Sequence, residues 1–127
     1  MRERKIAVQN CQVYCLQSEQ GSRDILLLHG AKFSASTWHK LGTLDVLANA
    51  GFRVTALDMP GYGSSPKCQA NPAELLQAII DSEGLQNPVV IGPSLGGAYS
   101  LALYFSAPQK VGGLVLVGTV GGDQLKE

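Results

Sequence analysis

Short apolar segments, separated by stretches with helical spacing, constrain the fold of this chain more than any other feature. Four segments favour strands, at residues 25–28, 53–58, 88–91 and 111–117. The first of them, Ile25-Leu26-Leu27-Leu28, is apolar at every position, which is typical of a strand covered on both faces in a parallel sheet. Strands that alternate with helices indicate a three-layer α/β fold with an open, mostly parallel sheet.

Two helices are predicted between these strands. The first begins at a Ser36 cap and ends at Gly51. Its apolar residues recur with helical spacing and are Trp38, Leu41, Leu44, Leu47 and Ala48. The second has an Asn71 cap and Pro72 at its first helical position, and it extends to about Glu83. The residues expected on its buried face are Leu75, Leu76, Ile79 and Ile80.

A third helix and an amino-terminal hairpin complete the predicted elements. Residues 95–107 favour a helix that Pro108 ends, and small residues at its start allow a close approach to the sheet. Residues 6–16 alternate apolar and polar side chains around Asn10, which favours two short strands at the sheet edge. Because the chain shows no repeat, linker or second domain, we expect residues 1–127 to form a single domain.

The charge balance argues against nucleic-acid and membrane partners. Ten basic and ten acidic residues cancel, so no strong field attracts nucleic acid or anionic lipid. No apolar run approaches the roughly 18 residues of a membrane-spanning helix, and the charged start is not followed by a secretory signal. We therefore expect a cytoplasmic chain, with nuclear access left open, that acts on a neutral or modestly polar small molecule.

Neither a metal nor a cofactor is expected. Cys11, Cys15 and Cys68 are predicted to be reduced structural thiols, because they are odd in number and lack the spacing of a redox pair. A metal site at the first two is a poor alternative, since both histidines lie far along the chain. The chain has no phosphate-binding loop motif, and Gly61-Tyr62-Gly63 lacks the third glycine of a dinucleotide fingerprint.

Gly92-Pro93-Ser94-Leu95-Gly96 matches the G-x-S-x-G pattern between a predicted strand and a predicted helix. A sharp turn there projects the serine hydroxyl from the sheet edge, and the flanking glycines relieve crowding. The helix N-terminus presents N–H groups to a developing oxyanion. The alternative is that Ser94 only caps the helix. His29-Gly30-Ala31 favours the first interpretation, because it ends an earlier strand and can direct N–H groups at the same point.

Three blocks of the chain resemble the ordered motifs of the α/β-hydrolase superfamily. They are Leu26-Leu27-Leu28-His29-Gly30, Asp58-Met59-Pro60-Gly61-Tyr62-Gly63-Ser64-Ser65 and Gly92-Pro93-Ser94-Leu95-Gly96-Gly97. More narrowly, residues 29–34, Trp38, residues 41–44 and residues 93–95 resemble the small lidless group called α/β-hydrolase domain-containing protein 14. The resemblance extends from the first strands to about Gly118, with the core motifs at about residues 24–118.

This resemblance implies a serine hydrolase or acyl-transfer enzyme that acts on small acyl esters or amides without a cofactor, and lysine deacetylation has been ascribed to the group. Ser94 would be the nucleophile, and the backbone N–H groups of Leu95 and Ala31 would form the oxyanion hole. The residues that would support these turns are His29, Gly30, Gly92 and Gly96. Pro93 departs from the wider superfamily but agrees with the narrower group.

The resemblance also implies that the catalytic acid follows a seventh strand and the catalytic histidine an eighth. Both are then expected beyond Glu127, so the chain would be a partial domain, truncated after about the sixth strand, with an incomplete site. Residues 111–117 would form an exposed edge strand. This leaves open a non-catalytic module that binds a protein partner by strand addition, or an inactive truncated isoform.

For several other residues near these motifs, a structural or binding role is favoured over a catalytic one. Asp58 is expected to hold the loop at residues 60–63 by accepting backbone hydrogen bonds. His29 as a base is a minor alternative, while His39 is expected at the surface and Asp123 in a solvated tail. The candidates for an acyl pocket are Phe33, Trp38 and Tyr62, with core packing favoured for Trp38.

Overall fold

The computed structural model of the chain describes residues 2–19 and 21–117. Its strands are β1 (Arg2–Val8), β2 (Cys11–Gln17), β3 (Arg23–Leu27), β4 (Phe52–Leu57), β5 (Val89–Pro93) and β6 (Gly113–Val117). Its α-helices are α1 (Ala35–Lys40), α2 (Thr43–Asn49), α3 (Pro72–Ser82) and α4 (Leu95–Ser106). A short 3₁₀ turn at Pro108–Lys110 precedes the last strand.

The strands form one six-stranded sheet in the order β1-β2-β4-β3-β5-β6. The four strands from β4 to β6 pair in parallel, and β1 and β2 add to one side antiparallel. The predicted three-layer α/β fold with a mostly parallel sheet is confirmed. Of the described helices, none is long and apolar enough to cross a membrane.

The amino-terminal hairpin is confirmed, with Val8 paired to Cys11 across a two-residue turn. Both turn residues have positive φ, 53° at Gln9 and 60° at Asn10. A two-residue turn with positive φ at both positions matches the right-handed twist of the flanking strands. Asparagine at the second position is therefore a local cause of this hairpin.

The core is divided between the two faces of the sheet. Leu26 and Leu28 pack with α3 and α4 residues on one face. Ile25 and Leu27 pack with Ala35 and Leu44 on the other. Successive strand residues point to opposite faces, so an unbroken apolar run is needed where helices cover both, as the sequence indicated.

The helix after β3 differs from the prediction in its start and its continuity. It begins after Ser34 rather than Ser36, and the Ser34 N–H donates to the Thr37 hydroxyl oxygen at 3.2 Å. Helix α1 also ends early, at Lys40, with Leu41 as its C-cap, because Gly42 adopts the left-handed region at φ 81° before α2 begins. Leu41 is consequently 70% exposed instead of lying on the buried face. A single helix over this stretch was therefore a wrong prediction, although its termination at Gly51 is confirmed.

Helix α3 follows its prediction closely. The Asn71 side-chain oxygen accepts a hydrogen bond from the Glu74 N–H at 3.0 Å, and Pro72 occupies the first helical position. The residues predicted to be buried on this helix are all buried, namely Leu75, Leu76, Ile79 and Ile80. Here the cap, the proline and the apolar spacing all specify the same boundaries.

The cysteines correct another prediction. Cys11 and Cys68 form a disulfide with a Cα–Cα distance of 5.8 Å, so the expectation of reduced thiols at these positions is wrong. Cys15 is free and buried, as expected. The bond joins the β1–β2 turn to the loop before α3, two segments separated by 57 residues. Residue spacing cannot reveal such a pairing, because it depends on how distant segments pack.

Candidate active site

Ser94 occupies the turn between β5 and α4 with a backbone conformation that serine rarely adopts. Its φ is 53° and its ψ is −117°. A non-glycine residue in such a region costs on the order of 1–3 kcal/mol and persists only when its surroundings impose it. The Ser94 side chain makes no capping hydrogen bond to α4. The alternative of a simple helix cap therefore does not account for this serine.

Two glycines allow α4 to pack closely against β5 and against the end of β3. A Cβ atom at Gly92 would overlap the carbonyl oxygen of Gly96 and lie 2.5 Å from the Ser100 hydroxyl oxygen. A Cβ atom at Gly96 would lie 2.9 Å from the carbonyl oxygen of His29. Both distances are too short for a side chain, so the sharp turn at Ser94 needs glycine at both positions.

The turn that follows β3 lies beside Ser94. A Cβ atom at Gly30 would be 3.6 Å from the Cβ atom of Ser94. Phe33 closes the turn by donating its N–H to the Gly30 carbonyl oxygen at 3.1 Å. The structure thus brings together the two motifs that the sequence singled out, from β3 and from β5.

The backbone N–H groups proposed for an oxyanion hole flank this contact. Leu95 is the first residue of α4, where helical geometry leaves the N–H without an intrahelical partner. Ala31 follows Gly30 in the turn after β3 and is exposed. Within residues 2–19 and 21–117, neither N–H donates a hydrogen bond to a protein acceptor.

His29 is committed to structural hydrogen bonds. It is 1% exposed, and its Nε2 accepts from the Met59 N–H at 3.0 Å. The ring proton must then lie on Nδ1, which donates to the Gly30 carbonyl oxygen at 2.8 Å. Because both ring nitrogens are engaged, His29 is unsuited to remove a proton from Ser94. The other histidine, His39, is exposed on α1, as expected.

Asp58 holds the loop after β4, as predicted. Its buried carboxylate accepts hydrogen bonds from the Ser64 N–H at 2.8 Å and from the Ala35 N–H at 2.7 Å. The second bond was not foreseen, and it explains why α1 begins at Ala35. One carboxylate therefore fixes both the loop after β4 and the start of the helix after the Gly30 turn.

Tyr62 lies in this loop and packs against His29, with 5.0 Å between ring centroids. Tyr62 is not among the described residues that line the cavity of Trp38, and its suggested place in an acyl pocket stays a prediction. Burial raises the pKa of nearby Tyr99, and Tyr62 raises it further. The Tyr99 phenol is therefore neutral near pH 7.

A cavity of about 410 Å³ opens beside the turn after β3, and we call it the Trp38 cavity. The residues that line it are His29, Gly30, Phe33, Thr37, Trp38, Leu41 and Pro93. Phe33 and Trp38 were suggested from the sequence, whereas Thr37, Leu41 and Pro93 were not. Leu41 was missed because its spacing placed it on the buried face of a continuous helix.

Comparison with known families accounts for this arrangement. The family model described as the alpha/beta hydrolase fold matches residues 25–126. The chain belongs to the α/β-hydrolase family. This hydrolase segment includes both turns, the loop held by Asp58 and the Trp38 cavity.

Individual relatives support a narrower similarity. ABHD14B of Homo sapiens, which is named as a protein-lysine deacylase, is 38% identical over 135 residues. ABHD14A of Danio rerio is 37% identical over 102 residues. The resemblance of this α/β-hydrolase chain to the domain-containing protein 14 group is thus confirmed. The match to ABHD14B covers 98% of this chain and 64% of ABHD14B, and the match to ABHD14A covers 76% and 38%.

The fold is also shared with solved structures. A CIB-like hydrolase from Thermoplasma acidophilum aligns with a TM-score of 0.86 at 25% identity. That alignment covers 96% of this α/β-hydrolase chain and 67% of the other protein.

In the described part of the chain, no three His, Cys, Asp or Glu side chains converge as metal ligands.

Proposed function

We propose that this chain carries the nucleophile and the oxyanion hole of a serine hydrolase or acyl-transfer enzyme. Ser94 is the nucleophile, and the backbone N–H groups of Leu95 and Ala31 bind the oxyanion. The conformation of Ser94 carries the proposal. Its φ is positive although its side chain does not cap α4, and its Cβ atom lies beside Gly30. His29, Gly30, Gly92 and Gly96 keep the two turns in contact.

In the reaction that we infer, the Ser94 oxygen attacks the carbonyl carbon of an acyl ester or amide. The carbonyl oxygen becomes an oxyanion, which the two N–H groups stabilise together with the N-terminal dipole of α4. Collapse of this intermediate expels the alcohol or amine and leaves the acyl group on Ser94. Water, or another acceptor, then removes the acyl group by attack on the same carbon.

A general base must accept the Ser94 proton during attack. Neither histidine of the described chain is suited to this role, since His29 is engaged through both nitrogens and His39 is exposed on α1. We therefore propose that the base and its orienting acid come from outside residues 2–117. The chain spans 64% of the length of ABHD14B, so the complete activity belongs to this proposal as well.

The substrate class follows from the relatives and from the charge of the chain. ABHD14B is named as a protein-lysine deacylase, which supports an amide of a lysine side chain as one substrate. The formal net charge of the chain is zero at pH 7, which gives no preference for highly charged substrates. Small acyl esters and N-acyl amides are therefore the proposed class.

A binding function is the second candidate, and one observation favours it. Val115, Leu116 and Val117 of β6 are exposed, and β6 lies at one end of the described sheet. An exposed apolar edge strand can pair with an extended segment of a partner. This candidate predicts a protein partner and no reactive serine.

Labelling with a fluorophosphonate probe tests the catalytic proposal. We expect little labelling of the 127-residue chain and strong labelling of a fusion extended by the carboxy-terminal segment of human ABHD14B. Replacing Ser94 by Ala in the fusion should abolish labelling, because the probe reacts only with an activated serine. Ser64→Ala is the matched control, since Ser64 is exposed and its hydroxyl makes no hydrogen bond to another described residue.

Four results of this labelling experiment bear on the two candidates. Ser94-dependent labelling of the fusion supports the nucleophile, and labelling of the unextended chain would show that no outside base is needed. A fusion that folds and never reacts contradicts the catalytic proposal and leaves the binding candidate. Labelling that survives Ser94→Ala contradicts Ser94 as the nucleophile and, because another serine then reacts, does not favour the binding candidate.

A further inference from the structure

We propose that the Trp38 cavity is the acyl pocket of Ser94 and that it accepts an uncharged aliphatic acyl chain of about six to eight carbons. The proposal rests on the proposed function, because it assigns the cavity to the acyl side of the serine. It adds a chain length and a charge preference that the family relationship does not supply.

The position of the cavity connects it to Ser94. Pro93 lines the cavity and directly precedes the serine, and Gly30 lines it from the opposite turn. The Cβ position of Gly30 is 3.6 Å from Ser94 and 3.1 Å from the ring of Phe33. An acyl carbonyl held between the two turns would therefore direct its chain past Gly30 into the cavity.

The polar side chains of the cavity wall already have partners within the protein. The Trp38 Nε1–H donates to the Leu28 carbonyl oxygen at 3.2 Å, and the Thr37 hydroxyl accepts from the Ser34 N–H. His29 uses both of its ring nitrogens. None of the described residues that line the cavity carries a charged side chain. A carboxylate at the end of the acyl chain would lose its water without gaining a protein partner, which is costly.

The size of the cavity admits an acyl chain of this length. At about 30 Å³ for each water-sized group, eight carbons occupy about 240 Å³, which fits within about 410 Å³. An acetyl group would leave most of this apolar wall in contact with water. Phe33 and Leu41 are 56% and 70% exposed, so a chain that reaches them removes their apolar surface from water.

Binding of non-hydrolysable ketones tests the pocket without relying on catalysis. Trp38 is the only tryptophan of the chain, so its fluorescence reports occupancy of the cavity. The ligands are 2-butanone, 2-octanone and 7-oxooctanoate, of which the last carries a terminal carboxylate. A fully buried methylene tightens binding about fourfold. We expect 2-octanone to bind at least about 20-fold more tightly than 2-butanone, and at least about 30-fold more tightly than 7-oxooctanoate.

A positive charge at the cavity mouth should reduce the preference for 2-octanone over 7-oxooctanoate. Leu41→Arg places a cation at an exposed lining position, and it should tighten 7-oxooctanoate about tenfold while weakening 2-octanone. Val46→Arg is the matched control, since Val46 is 67% exposed and does not line the cavity. Val46→Arg should leave all three affinities within about twofold. Ser94→Ala should also retain ketone binding, because the chain and not the hydroxyl provides the affinity.

The outcomes for the pocket and for the proposed function are distinguishable. Equal affinity for the three ligands, no binding of 2-octanone, or the same response to Leu41→Arg and Val46→Arg would overturn the pocket. Fluorophosphonate labelling that is independent of Ser94 would overturn the proposed function, and the ketone series would still establish which ligands the cavity accepts.

Discussion

At the scale of single residues, the conformation of Ser94 depends on neighbours that have no side chain. Its φ of 53° is costly for serine, and the contact between β5 and α4 imposes it. Gly92 is close to the Gly96 backbone across this contact, and Gly96 is close to the His29 carbonyl at the end of β3. These glycines are therefore structural requirements of the serine turn, even though they perform no chemistry themselves.

Gly92→Ala should destabilise the fold and distort the Ser94 turn. The added methyl group would overlap the Gly96 carbonyl, so β5 and α4 must separate, at a cost of about 1–3 kcal/mol or more. Chemical denaturation measures the free energy of unfolding, and ketone binding reports any change at the cavity.

Gly113→Ala provides the control for this substitution. A Cβ atom at Gly113 would meet Val89 only at 3.7 Å, an ordinary contact. Its effect should be neutral or slightly stabilising, by about 0.4–1 kcal/mol. Equal stability of the two variants would show that close packing does not require glycine at position 92.

At the scale of elements, the break between α1 and α2 shapes the cavity. Gly42 turns the chain into the left-handed region, and Leu41 is thereby exposed at the cavity wall. A continuous helix would place Leu41 on the face that packs with Trp38 and Leu44. The break therefore converts a core position into a lining position of the cavity.

Gly42→Ala should cost about 1–2 kcal/mol of stability. The cause is backbone strain alone, because no atom lies within 4 Å of the added Cβ position. Gly42→Asn should cost less, since asparagine tolerates the left-handed region better than alanine. Thermal or chemical unfolding of both variants gives the comparison, and an asparagine variant less stable than the alanine variant would contradict the strain argument.

At the scale of the whole molecule, a disulfide joins two segments that are far apart in the sequence. Cys11 follows the turn between β1 and β2, and Cys68 lies in the loop that Asp58 holds. The Met59 N–H at the start of this loop bonds to His29, next to the Gly30 turn. The covalent bond therefore restrains the same loop that supports the site.

The double variant Cys11→Ser, Cys68→Ser should lose stability, by up to about 4 kcal/mol from loop-closure entropy. The disulfide closes a segment of 57 residues and so restricts the conformations of the unfolded chain. The double variant lacks this restriction. Comparison of unfolding midpoints for the oxidised, reduced and double-variant chains measures the effect.

Thiol counting checks the pairing independently. Burial raises the pKa of the Cys15 thiol to about 11, so alkylation at pH 8 should modify none of the three cysteines in the native oxidised chain. Denaturant alone should release one thiol, and denaturant with reductant should release three. Three reactive thiols without reductant would show that the disulfide is absent.

Several features followed from local sequence because their causes are local. The order of strands and helices came from apolar periodicity, and α3 from its asparagine cap and proline. The turn at Ser94 was expected because glycine near a serine, between a strand and a helix, relieves local crowding, as the contact of Gly92 with Gly96 shows. The role of Asp58 in its own loop was equally local.

The sequence by itself thus determined the α/β architecture and the position of Ser94 within it. Only the tertiary structure decided the pairing of Cys11 with Cys68, the bond from the Met59 N–H to His29 Nε2, and the start of α1 at the Ala35 N–H that bonds to Asp58. Each of these depends on atoms from segments far apart in the chain. Periodicity and capping patterns describe a residue's neighbours in sequence, whereas these contacts exist only after the sheet has brought its loops together.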